Sequence, residues 1–258
     1  MGHERVGILP KRKRWTQIVD QIADFPESNE VSEIAKQTIK NVRRRFEHIE
    51  SDNGVHSSFK FLVLLSNASK SKNPSEILSE HGINLPDNFT PLHLAIAVNE
   101  WTDQHTESNE YAAIAKESTI RALSEWYFKH ETKQVNIFTE ESDPAEIWRG
   151  ASQGAGFCEL SRLYFSNFTE NYLKYFLERE ASASLNSIEE RDRFENYLEN
   201  HIDELSNHAF ETAKITQSFA AGWFNKHVKE APPSDKDIQG FLSHSFKKMR
   251  DELLREEE

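Results

Sequence analysis

Apolar residues recur along most of this chain at the three- and four-residue spacing of helices that bury one side. The densest stretch, Gly154 to Glu180, reads GAGFCELSRLYFSNFTENYLKYFLERE. At about 100° per residue, Phe157, Leu160, Tyr164, Phe168 and Tyr175 fall within roughly 40° of one line down a helix. Phe165, Tyr172 and Phe176 widen that line, and Leu163, Leu173 and Leu177 lie outside it. A helix so apolar around its circumference is expected to be central, with neighbours on several sides.

The other segments follow the same period. Trp15, Ile18, Val19 and Ile22 line a short helix from about Trp15 to Phe25, which Pro26 ends. Val31, Ile34, Ile39, Val42, Phe46 and Ile49 line a longer one over 30–50, followed by an expected turn at Asn53-Gly54. Helices are predicted over 58–68, over 75–81 (closed by Gly82), from Thr90-Pro91 to about His105, and over 109–131. Asp143-Pro144 opens another, which leads through a small-residue patch, residues 150–156, into the central helix. Ser187-Ile-Glu-Glu190 is a capping box, and Ser234 with Asp237 caps a last helix ending near Leu254. Between them either one long helix or two fill the length, with Asn207 and Gly222 as the candidate breaks. Only QVNIFT, 134–139, reads as a strand. Residues 27–36, ESNEVSEIAK, and 107–116, ESNEYAAIAK, agree at seven of ten positions, and one inserted residue then aligns Thr38-Ile39 with Thr119-Ile120. Convergent helix starts and a duplicated helical unit both account for that echo.

The pattern therefore predicts an all-α fold, an irregular multi-helix bundle of about ten helices around a central aromatic-rich helix. Residues 15–258 form a single domain in this reading, with a subdivision conceivable near 133–142. Residues 1–14, MGHERVGILPKRKR, show no helical period and read as an extended basic arm.

Composition adds a few limits. With 17 Phe and 5 Trp the chain can fill a large core although only 37% of its 258 residues are apolar. The single cysteine, Cys158, excludes an intrachain disulfide framework and points to a reducing, cytoplasmic setting. No apolar run approaches the roughly 20 residues of a membrane span, and none follows the N-terminal basic residues as a signal peptide requires. The net charge of −12 is uneven: residues 1–80 hold 13 basic and 11 acidic residues, and the rest hold 18 and 32. Such an acidic body does not attract nucleic acid over its whole surface.

Candidate chemistry is sparse. No phosphate-loop motif occurs, and no strand-associated G-x-G-x-x-G. The glycines of 150–156 at a helix start, beside Arg149, fit close packing better than a phosphate cradle. His201, Glu204, His208 and Glu211 have metal-like spacing, but the helical count grades from core through histidine to solvent-facing Glu, as an ordinary amphipathic helix does. Neither a metal nor another cofactor is expected. Cys158 falls in the first turn of the central helix, where a dipole lowers a thiol pKa, but its aromatic neighbours argue for burial.

The least ordinary feature is basic. Lys11, Arg12, Lys13 and Arg14 precede Trp15, and Arg43, Arg44 and Arg45 lie on the second helix. These residues are the candidate partner-binding set. The expected function is a non-enzymatic helical scaffold or accessory subunit that binds a protein partner through the arm and an aromatic-rich helical surface. A nucleic-acid-associated protein using the same basic residues is the first alternative. An enzyme or metal protein whose site assembles only in the fold is the second.

Overall fold

The computed structural model describes residues 13–23, 28–46, 49–106, 111–134, 144–210, 218–228 and 231–254. Among them the chain is all α: eleven α-helices and one 3-10 turn, with no strand. The helices are α1 (Lys13–Ala23), α2 (Ser28–Phe46), α3 (Asn53–Ala68), α4 (Pro74–Glu80), α5 (Pro91–Gln104), α6 (Ala112–Gln134), α7 (Pro144–Ala151), α8 (Gly154–Ser184), α9 (Ile188–Phe210), α10 (Phe219–His227) and α11 (Asp235–Leu253). Of the strand-like QVNIFT, Gln134 closes α6, and the remainder lies outside the described residues.

Helix α8 is the centre. Every residue from Leu160 to Glu170 is buried, polar ones included. Helices α6, α9, α10, α7 and α1 pack around it, with α2, α3 and α11 touching it as well. The core against its N-terminal half is aromatic. Phe157 stacks on Phe224 of α10 at 4.5 Å, and Phe165 lies 5.3 Å from Phe210 and 5.0 Å from Phe246. Phe59 of α3 stacks on Phe241 of α11 at 5.3 Å, so rings from five helices join in one cluster.

Most helix starts are those the caps predict. Ser187 and Glu190 satisfy each other's backbone donors at 3.1 and 3.2 Å. The Ser234 hydroxyl accepts the Asp237 amide at 3.2 Å. Gly82 ends α4 at φ 83°, a conformation that favours glycine.

Two expected boundaries are wrong. Asn53-Gly54 is no turn but the first turn of α3, because Asp52 caps it, accepting from the Gly54 and Val55 amides at 2.8 and 3.1 Å. The glycine serves close packing: a Cβ on Gly54 would lie 2.6 Å from that of Ala112 at the start of α6. Neither Asn207 nor Gly222 breaks the long C-terminal run. Asn207 donates back to Asp203 one turn earlier at 3.3 Å, and Gly222 sits on the exposed face of α10. A new helix, α10, begins at Phe219, where the Ser218 hydroxyl caps it by accepting the Ala221 amide.

The sequence echo has a structural counterpart, without the inserted residue. At a constant offset of 80, Val31, Ile34, Ala35, Thr38 and Ile39 correspond to Tyr111, Ile114, Ala115, Ser118 and Thr119, and all ten are buried. Thr38 donates to the Ile34 carbonyl at 2.8 Å, and Ser118 to the Ile114 carbonyl at 2.6 Å. The first set lies on α2 and the second at the start of α6, with Tyr111 just ahead of it. Each of these helices packs on the one before it, α1 with α2 and α5 with α6.

Candidate functional site

The predicted basic set is only partly within view. Lys11 and Arg12 lie outside the described residues. Helix α1 spans Lys13–Ala23, so Lys13 and Arg14, expected in the arm, are helical together with Trp15. Arg43, Arg44 and Arg45 fall in the last turn of α2, and the side chains of all six lie outside the described part of the structure. The rings of α8 contribute nothing to an aromatic surface. Phe157, Tyr164, Phe165, Phe168, Tyr172 and Phe176 are fully buried, since α8 has neighbours on every side.

The polar feature that the fold assembles is a charged seam where α6, α8 and α9 meet. Glu195, Glu199 and Asp203 stand one turn apart on α9. Each faces a cation from another helix: Lys174 at 3.8 Å, Arg121 at 2.5 Å and Arg162 at 2.5 Å. Glu170 sits at the middle, its side chain only 3% exposed. Arg121 reaches both of its oxygens, at 3.1 and 3.2 Å, and Lys174 approaches at 2.8 Å. Arg121 also holds Glu125 at 2.9 Å, and Asn167 donates to Glu125 at 3.4 Å.

Burial works against the Arg121 charge, but attraction and hydrogen bonding from Glu170, with Glu199 and Glu125, outweigh it and raise its pKa. Burial pushes the Glu125 carboxyl up, and Arg121 and Asn167 only partly offset that. The carboxylates are thus tied to fixed cations, and the arrangement locks three helices together rather than poising a base beside a substrate.

The other candidates resolve towards structure. His201 is half-buried, Glu204 and His208 are exposed, and Glu211 lies outside the described residues. Among the described residues no group of three His, Cys, Asp or Glu is disposed to hold a metal ion. A Cβ on Gly156 would fall 2.0 Å from the Gly150 carbonyl, and one on Gly154 within 2.8 Å of the Asn225 amide. The small-residue patch is therefore filled by α6, α7 and α10, with no room left for a phosphate. Cys158 is the fifth residue of α8, beyond its first turn, and is buried. The Ser218 hydroxyl donates to its sulfur at 3.0 Å.

A motif missed in the sequence appears three times. Trp101 and His105, Trp126 and His130, and Trp223 and His227 stack one turn apart, with centroids at 3.8, 3.8 and 5.3 Å. His227 lies 3.4 Å from Asp237 on α11, and His130 lies 3.7 Å from Glu159 on α8. W-x-x-x-H was the available signal.

Large apolar side chains reach solvent at few places among the described residues. Leu92 and Ile96 on α5 are 68% and 50% exposed, and Phe128 on α6 and Ile188 on α9 are exposed as well. No helix among the described residues is long and apolar enough to cross a membrane. No protein-family model matches the chain, and no curated protein or solved structure is significantly similar to it.

Proposed function

We propose that this chain works by binding, as a helical scaffold or accessory subunit, and that it docks a protein partner on the outer face of α5. The observation that carries this reading is the pair Leu92 and Ile96. They stand one turn apart and face solvent, while Leu94, Val98 and Trp101 on the same helix are buried. Two aliphatic anchors at i and i+4 are a unit by which one helix engages another. Nothing in the stability of the isolated chain calls for them there.

The basic residues Lys11 to Arg14 then serve to steer an acidic region of that partner, raising the association rate more than the affinity. The test is binding of the purified chain to a partner identified by co-purification from the native source. Replacing Leu92 and Ile96 with Glu should reduce affinity at least tenfold without lowering the melting temperature. Reversing Lys11, Arg12, Lys13 and Arg14 to Glu should chiefly slow association at low salt. Unchanged affinity in the α5 variant would remove that face from the proposal.

A further inference from the structure

The outer stripe of α5 continues beyond its apolar pair. Leu92, Ile96, Glu100 and Asp103 follow at spacings of four, four and three residues, within about 80° around the helix. All four are exposed. One end of the stripe is therefore apolar and the other acidic. Helix α5 has neither Lys nor Arg, and none occurs from Asn73 to Ala115, a stretch with seven Asp and Glu. In the loop that leads into α5, Asp87 is exposed too.

Glu100 and Asp103 lie towards the C-terminal end of the helix, where its dipole disfavours carboxylates. Their placement makes the free helix less stable, and a cation brought alongside would relieve it. Asp103 takes the Lys116 ammonium at 2.8 Å, but its side chain remains 65% exposed and can accept more hydrogen bonds.

Resting on the reading that α5 docks a protein, we infer that the docked element is a basic amphipathic helix. Two of its apolar side chains cover Leu92 and Ile96, and Lys or Arg one to two turns further along meet Glu100 and Asp103. The apolar pair supplies the buried area, and the acidic end selects charge and orientation. An acidic helix of the same apolar pattern is disfavoured, because Glu100 and Asp103 repel it and Lys116, the cation beside them, is already paired with Asp103.

The probe is a fluorescent 18-residue peptide with leucine at every third or fourth position and lysine elsewhere. Its counterpart carries glutamate in place of lysine. Anisotropy with the full chain should show the lysine peptide binding at least tenfold more tightly, with affinity falling as salt is raised. L92S/I96S should weaken it tenfold or more, and E100Q/D103N several-fold, with melting temperatures unchanged. I188S is the control. Ile188 is also exposed beside Glu189 and Glu190, but Arg191 and Arg193 follow it, so this change should leave binding within twofold.

Equal binding of the two peptides, or preference for the glutamate peptide, overturns the basic-helix inference. If L92S/I96S still abolishes that binding, α5 stands as a docking face and only the charge assignment fails. If L92S/I96S leaves the lysine peptide unaffected, both fall. A loss of binding with I188S equal to that with L92S/I96S would mean general acidic attraction, and also overturns the inference.

Discussion

The two halves of α8 are held by different physics. From Phe157 to Phe168 its apolar side packs on rings of other helices, where contact depends on volume and shape, although Glu159 and Arg162 in this span also pair with charged groups. Around Glu170 and Lys174 its charged partners are Arg121 and Glu195, and contact depends on charge and hydrogen-bond count. A ring cluster tolerates substitution if volume is kept. A buried carboxylate with two cations does not, since a misplaced partner leaves a charge without compensation. The aromatic half is accordingly expected to supply more of the stability, and the ionic half to fix how α6 and α9 align on α8.

The largest effect should come from Phe165→Ala, which empties a site against five other rings, those of Phe59, Tyr164, Phe210, Phe241 and Phe246. A loss of about 3–5 kcal/mol is expected from denaturant unfolding. A loss under about 1 kcal/mol would show that the cluster collapses to fill the space and would reverse the ranking of the halves.

Glu170→Ala should cost somewhat less, about 2–4 kcal/mol, because Arg121 keeps Glu125 and Glu199. The sharper measurement is the double variant Arg121→Met with Glu170→Leu, which should recover most of that loss. Hydrogen exchange in α9 should nevertheless stay faster than in the native chain. If exchange is unaltered, the seam does not control alignment.

Asp235 sets a smaller, pH-dependent effect at the start of α11. The hydrogen bond from Lys60, at 2.7 Å, holds its carboxyl below the ordinary value, with burial opposing and His56 and His105 adding a little. A lowered folded value means that the contribution is present above the unfolded pKa of about 3.9 and is lost as pH falls through the folded value. Asp235→Asn should thus melt slightly below the native chain at pH 7 and together with it near pH 2. The Asp235 side chain is 66% exposed, so the difference at pH 7 should be under about 1 kcal/mol.

The smallest effect is assigned to Glu125→Gln. Its carboxyl is raised, so stability is greatest while it is protonated and is lost as pH rises from the unfolded value through the folded one. Gln abolishes that loss and keeps a hydrogen-bonding oxygen. Melting at pH 7 should change by less than roughly 0.5 kcal/mol, with any gain larger at pH 7 than at pH 4. Clear destabilisation would mean that Arg121 depends on Glu125 more than on Glu170.

Much of the fold was legible because helix signals are local. Thr90-Pro91, the Ser187–Glu190 box and the Ser234 cap each act within four residues, and the ring period of α8 identified the centre. The seam was not legible, because its bonds join residues 41, 49 and 78 positions apart. The sequence does show Glu195, Glu199 and Asp203 as a column. What it does not show is that three cations on two other helices lie opposite. The column that drew attention, His201, Glu204 and His208, lies on another side of α9, with Glu204 and His208 in solvent. The exposed pair on α5 was equally hidden, since its own period gives no reason to leave Leu92 and Ile96 outside.

The corner between α7 and α8 bears on how far this sequence can drift. At Gly156 even a methyl group would fall 2.0 Å from the Gly150 carbonyl and 3.0 Å from the Trp126 ring, so two backbones and an indole occupy the space of one side chain. Gly222 and Gly240 have nothing within 4 Å of where a Cβ would stand. A distant descendant that keeps this architecture should therefore retain glycine at the first position while losing it freely at the other two. Glycine at that corner, opposite a tryptophan 30 positions earlier, is the mark by which such a relative would be recognised.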